Sequence, residues 1–99
     1  MYQGRLHERK DVALAGNIRR SEDALPGADC EILDLSVGGA KLKLPMAIPA
    51  ETAVHLGLGN IGEFAATLAW SRPPLAGVYF KDGPEVMNEV IIAVALYGT

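Results

Sequence analysis

This sequence of 99 residues has little cysteine and few aromatic side chains, which make up 6% of it. Its one cysteine, Cys30, excludes an intrachain disulfide and a cysteine-rich zinc site. Its two histidines, His7 and His55, are too few to indicate a metal site or a general base. Asp34 and Ser36 have no plausible histidine base to complete a nucleophilic site. We therefore predict no metal site, no catalytic residue and no enzyme.

Long apolar runs and a basic charge are also lacking. The longest apolar run covers residues 90–97, whereas a membrane-spanning helix needs about 20 apolar residues. The opening stretch, MYQGRLHERKD, lacks the apolar core of a signal peptide. The net charge of -3 argues against a surface built to bind DNA or RNA. We expect a cytoplasmic protein with no membrane contact, and the single cysteine fits that reducing compartment.

Short strands are the main feature that is present. The composition, 49% apolar and 21% charged, is typical of one globular domain. Six runs of alternating apolar residues between positions 12 and 82 are separated by glycine and proline turns. This pattern is typical of an antiparallel barrel or sandwich. In the clearest run, Ala40, Leu42 and Leu44 alternate with Lys41 and Lys43, which predicts that both lysines lie on the solvent face.

The same alternation predicts the faces of two less ordinary residues. It places Asp34 on the face of Ile32, and Trp70 on the face of Leu68. A large apolar side chain at a strand end is more often core than binding surface, so core is the first interpretation of Trp70. Contact with a ligand is its alternative, and Arg72 is interpreted as a solvated turn residue.

The last residues change to a helical period. Asp82 or Gly83 can cap a helix over residues 84–97, and Pro84 suits its first turn. Few polar residues follow, so we expect this helix to be buried on two sides. It would cover a barrel opening or pack against a second copy of the chain, which makes a homodimer one of the alternatives.

The stretch DLSVGGAKL, residues 34–42, places a carboxylate and a hydroxyl before a glycine turn. Asp34 and Ser36 are two residues apart, so on a strand they would reach a common partner. Gly38 and Gly39 allow a tight turn and a close approach of a ligand to the backbone. The motif alone fits an ordinary turn as well as a ligand site.

A second short motif, RLHER, places Arg5 and Arg9 four residues apart. The two side chains would share a face on a helix, or lie roughly 13 Å apart in extended chain. Guanidinium groups bind phosphates and the O6/N7 edge of guanine. Taken alone, two arginines in a polar segment are equally typical of solvated charge.

Together, in this order, the two motifs resemble the PilZ domain family. Arg5 and Arg9 match its R-x-x-x-R motif before the first strand, and residues 34–39 match its D-x-S-x-x-G motif between the second and third strands. The resemblance continues through AWSRPPLAGVYF and the C-terminal helix. It implies a mainly β protein, a six-stranded antiparallel β-barrel of PilZ type with a C-terminal α-helix. Residues 1–99 would form one domain, with a flexible arm at 1–11, the barrel at 12–82 and the helix at 84–97.

The resemblance also implies a function. PilZ domains of this kind are bacterial receptors for cyclic di-GMP, with motility or biofilm formation as the regulated process. The implied ligand-binding residues are Arg5, Arg9, Asp34, Ser36 and Gly39. Cyclic di-GMP would be the ligand, with no further cofactor, and an unidentified downstream protein would receive the signal. The alternatives are a PilZ-like interaction module that no longer binds nucleotide and an enzyme acting on a small phosphorylated ligand.

Overall fold

The computed structural model describes residues 10–22 and 27–97. The elements in chain order are β1 (Lys10–Arg20), β2 (Ala28–Leu35), β3 (Gly39–Lys43), β4 (Ala53–Leu58), β5 (Gly62–Arg72), β6 (Leu75–Phe80) and α1 (Pro84–Tyr97). Arg5 and Arg9 lie outside the described residues. The strands and the helix fall where the alternating and helical patterns predict them, except that β1 begins at Lys10, two residues before the predicted start of the barrel at residue 12.

The strands of this chain close into a barrel in the order β1-β2-β3-β6-β5-β4. Every neighbouring pair is antiparallel, and β1 pairs with both β2 and β4, so the sheet has no free edge. The predicted six-stranded antiparallel barrel with a C-terminal helix is confirmed.

Alternate side chains of the strands fill the barrel with aliphatic groups. Residues that are fully buried there include Ile32, Leu35, Leu42, Val54, Leu56, Leu58, Ala66 and Leu68. Burial of this apolar area is the main favourable contribution to folding. Among the residues whose burial is described, Ser36 is the one buried polar side chain, so the other polar groups of this part of the chain lie nearer the surface.

Two β-bulges overturn the predicted faces of Asp34 and Trp70. The β2–β3 register shifts between Ile32 and Asp34, and the β5–β6 register shifts between Leu68 and Trp70. An extra residue in one strand rotates the following side chain to the opposite face. Ile32 and Leu68 are fully buried, whereas Asp34 and Trp70 are only half-buried. Both predictions of a shared face were therefore wrong, and for the same reason.

Helix α1 is buried on one side within this chain, not on two. It begins at Pro84, and the carbonyl of the preceding Gly83 accepts a hydrogen bond from the N–H of Met87 at 3.1 Å. Met87, Val90 and Val94 join the apolar core of the barrel. The far side of the helix remains exposed, with Leu96 at 66%. Over the described residues, no helix has the length and apolar character needed to cross a membrane.

Candidate functional site

A row of cross-strand partners crosses four strands on the outside of the barrel. Asp34 of β2 pairs with Lys41 of β3, Lys41 pairs with Gly77 of β6, and Gly77 pairs with Trp70 of β5. Residues in such a row lie side by side, at strand spacings of about 4.8 Å. The bulges bring the first and last members of this row to the outer face, where all four line one depression of about 510 Å³.

The turn between β2 and β3 forms one side of this depression. The Ser36 side chain is buried at 3% exposure. Its hydroxyl oxygen accepts hydrogen bonds from the N–H groups of Gly38 and Gly39, both at 3.2 Å, and donates to the Gly39 carbonyl at 3.3 Å. The Ser36 N–H also donates to that carbonyl, at 2.8 Å. Ser36 therefore holds the shape of the turn, and its hydroxyl is already used by turn backbone.

Gly39 and Gly77 allow neighbouring groups to approach closely. A Cβ on Gly39 would collide with the backbone carbonyl oxygen of Val78, so only glycine lets β3 and β6 approach here. A Cβ on Gly77 would collide with the indole of Trp70, with Cε2 only 2.6 Å away. The absence of a side chain at Gly77 thus provides the space that the indole occupies.

Aromatic groups form the other side of the depression. The guanidinium of Arg72 lies over the Trp70 ring, 5.8 Å from its centroid, which is cation–π geometry. Tyr79 also lines the depression and donates a hydrogen bond from its hydroxyl to Glu51 at 3.2 Å. Partial desolvation, together with this hydrogen bond, raises the pKa of Tyr79, so its phenol stays protonated and neutral.

A second depression, of about 470 Å³, lies at the other end of the β2–β3 hairpin. Its lining includes Ala28, Ile48 and Pro49, but not the motif residues Asp34, Ser36 and Gly39. Nearby Cys30 is an unsuitable nucleophile, because burial and then the Asp29 carboxylate raise the pKa of its thiol to about 11. No cluster of ligating side chains that could hold a metal ion occurs in the stretches 10–22 and 27–97.

The structure brings together three of the predicted site residues. Asp34, Ser36 and Gly39 line the same depression. The other two, Arg5 and Arg9, lie outside the described residues, so their position relative to the depression stays a prediction. The assignment of all five to a ligand also stays a prediction.

Sequence reasoning undervalued two residues of the depression. Lys41 was interpreted as an ordinary solvent-facing lysine and Trp70 first as core, yet both line the depression beside Asp34. The glycine at position 77 was the available signal, because a glycine inside a strand marks a close approach or a cleft. Using that signal requires the β5–β6 register, which the alternation alone does not give.

Comparisons with known proteins agree with this architecture. The family model described as "PilZ domain" matches residues 3–96. The crystal structure of the PilZ domain of CeSA from a cellulose-synthesizing bacterium is similar at a TM-score of 0.69 and 15% identity, covering 90% of this chain and 95% of that one. The Bacillus subtilis inhibitor of motility MotI/DgrA is similar at a TM-score of 0.65 and 14% identity, covering 99% of this chain and 54% of that one.

None of the curated protein sequences is significantly similar to this chain. At these identities the two solved structures show the fold alone. The family assignment comes from the family model, which covers almost the whole sequence, and it agrees with the closed six-stranded barrel and its helix. The chain belongs to the PilZ domain family.

Proposed function

We propose that this protein is a receptor for cyclic di-GMP that binds the nucleotide in the depression and signals to a partner protein. PilZ domains are generally receptors or adaptors for this nucleotide and are regulatory binding domains rather than enzymes. The observation that carries the proposal is the convergence of Asp34, Ser36, Gly39 and Trp70 on one depression. Its volume of about 510 Å³ lies within the range of small-molecule sites.

The chemistry of the ligand suits these residues. Cyclic di-GMP offers two phosphates and two guanines. Arg5 and Arg9 would bind phosphate oxygens or the guanine O6/N7 edge through their guanidinium groups. Asp34 would accept hydrogen bonds from the N1–H and N2–H₂ groups of a guanine, or hold one of the arginines. Trp70 offers an indole face on which a base can stack.

Signalling would follow from the N-terminal arm. Arg5 and Arg9 precede the barrel in sequence, whereas Asp34 and Gly39 belong to it. A nucleotide bound by both would order the arm against the barrel, because a ligand shifts a protein toward the state that it binds best. The ordered arm would present a new surface to the downstream protein.

Calorimetric titration of the full chain with cyclic di-GMP tests the proposal. We expect saturable binding, and Asp34→Ala should weaken it about tenfold or more, because hydrogen bonds to a charged group are lost. Asp29→Ala is the matched control, since Asp29 is an exposed acid on the same strand and does not line the depression. Arg9→Ala should weaken binding strongly while leaving the melting temperature of the empty protein nearly unchanged.

Absence of binding by the wild-type protein at millimolar nucleotide would overturn the proposal. If Asp34→Ala and Asp29→Ala reduced the affinity for cyclic di-GMP equally, the nucleotide would not bind in the depression. The nucleotide recovered after titration should be intact by chromatography, and its turnover would instead favour an enzyme.

A second candidate is a PilZ-like interaction module that works without nucleotide. It is favoured by the exposed apolar side of α1, where Ile92 is 51% and Leu96 66% accessible. This candidate predicts no heat of binding for cyclic di-GMP. It also predicts that Leu96→Glu abolishes association with a partner or with a second copy, measured by sedimentation velocity.

A further inference from the structure

Lys41 occupies the centre of the row that crosses the depression. It is flanked by Asp34 on β2 and by Gly77 on β6, and it is half-buried. Lys43, two residues further on the same strand, is exposed and does not line the depression. The two lysines therefore share a strand and an outward direction but differ in what surrounds them.

The described protein gives Lys41 no ion-pair partner. Opposite charges in facing positions of antiparallel strands usually stabilise a sheet by pairing. No salt bridge to Lys41 is found within 10–22 and 27–97, although Asp34 is its direct cross-strand neighbour. On its other side Gly77 has no side chain, and the Trp70 indole occupies that space, so Lys41 lies between the Asp34 carboxylate and an aromatic ring. A cation that lines a depression and has no ion-pair partner among the described residues is suited to an external anion.

Lys41 also changes the electrostatic potential that a phosphate meets in the depression. The chain carries a net charge of -3, and Asp34 adds a carboxylate to the depression itself. A ligand with two phosphates would be repelled by that carboxylate at a separation of a few ångströms. A lysine next to Asp34 offsets this repulsion, so that the same depression can accommodate both a phosphate and a base. The compact ammonium of lysine, with three donors, suits a phosphate oxygen.

We infer that Lys41 binds a phosphate of the nucleotide and so determines affinity for the anionic ligand, an inference that rests on the proposed function. Asp34 recognises the base and Lys41 recognises the backbone of the same ligand. The side chains are neighbours in the row, so one nucleotide unit reaches both. Trp70, two strands beyond Lys41, borders the same unit on its far side.

The test compares Lys41→Gln with Lys43→Gln in titrations of the full chain with cyclic di-GMP over a series of salt concentrations. Lys41→Gln should weaken binding about tenfold, because one charge-assisted contact is lost. The slope of log affinity against log salt should also become flatter, because one charge–charge contact that salt screens is lost. Lys43→Gln should leave both quantities at the wild-type values.

Lys41→Arg keeps the positive charge and separates a phosphate contact from a role in shaping the depression. It should retain the wild-type salt slope, with affinity within about threefold of wild type. An unchanged affinity of Lys41→Gln, or a weaker affinity with an unchanged salt slope, would overturn the inference and leave the receptor function standing. A loss in Lys41→Arg as large as that in Lys41→Gln would also overturn it. If the wild-type protein binds no cyclic di-GMP, both proposals fall.

Discussion

Two parts of the barrel differ in the regularity of their strand pairing. We call the β1–β4 and β4–β5 ladders the regular wall, and the β2–β3 and β5–β6 ladders the bulged wall. Around β4 the ladders to β1 and β5 run without a register shift, whereas β2–β3 and β5–β6 are each interrupted by a bulge. Two pairs of polar side chains on the regular wall contact each other. Arg19 donates two hydrogen bonds to Glu63, at 3.0 and 2.9 Å, and Ser21 lies 3.0 Å from the His55 ring nitrogen.

The bulged wall instead directs its polar and aromatic groups into the depression. Asp34 and Trp70 reach it only because the strands deviate from strict alternation. Departures from local regularity are expected where a protein needs function rather than stability. The regular wall therefore serves as scaffold, and the bulged wall is the place where ligand affinity should respond to substitution.

The largest expected difference between the walls comes from adding one methyl group to a glycine. Gly39→Ala would force a Cβ against the Val78 carbonyl oxygen, which is backbone and cannot rotate away. We expect a loss of about 1–3 kcal/mol in the free energy of unfolding, the usual cost of overpacking. Urea denaturation measures it, and the affinity for cyclic di-GMP should fall as well.

Gly57→Ala on the regular wall is the matched control. A Cβ there would lie 3.6 Å from the Asn17 carbonyl oxygen, which is ordinary contact. Reduced freedom of the unfolded chain should make this variant as stable as wild type or slightly more stable. Similar losses in both glycine variants would contradict the distinction between the walls.

A smaller effect is expected from Gly77→Ala, which would push the Trp70 indole out of its place across β6. Since Trp70 is the only tryptophan in the sequence, its fluorescence reports this movement directly. We expect a red-shifted emission as the ring gains exposure, with a stability loss of about 1 kcal/mol from lost aromatic packing. An unchanged emission spectrum together with unchanged nucleotide affinity would remove Trp70 from the candidate site.

The same comparison explains which features could be predicted from the sequence. Alternation and turn residues gave the six strands, because a half-buried strand must repeat with a period of two. The caps and spacing gave α1 its bounds at residues 84–97, as observed. These features depend on neighbours within a few residues along the chain, so the sequence alone carries them.

The arrangement of the depression depends on partners that are distant in sequence. The residues next to Asp34 and Trp70 in the sequence do not indicate a β-bulge. One extra residue in a strand moves the side chains that follow it to the opposite face of the sheet. Lys41 shows the same limit, since it alternates like Lys43 and differs from it in its neighbours on other strands, Asp34 and Gly77. The DLSVGGAKL motif identified the turn and Asp34, while the cross-strand register was needed to add Lys41 and to bring Trp70 beside them.

The smallest expected effect is a pH dependence on the regular wall. The hydrogen bonds from Arg19 hold the pKa of Glu63 below its ordinary value of 4.5. A carboxyl group whose pKa is lower in the folded state contributes stability above the unfolded pKa, and this contribution is lost as the pH falls through the folded pKa. The pair is exposed to solvent, so we expect only about 0.2–1 kcal/mol at neutral pH.

The free energies of unfolding of wild type and Glu63→Gln should therefore differ most near neutral pH and converge as the pH falls below 4.5. A double-mutant cycle with Arg19→Gln isolates the coupling from other contacts of Arg19. Because both groups are exposed, the coupling should also shrink at about 0.5 M salt, where screening shortens the range of the interaction. A difference that persists undiminished at pH 3 would mean that Glu63 stabilises β5 by packing rather than by charge. The charge–charge interaction between Arg19 and Glu63 would then contribute nothing measurable to the stability of the regular wall.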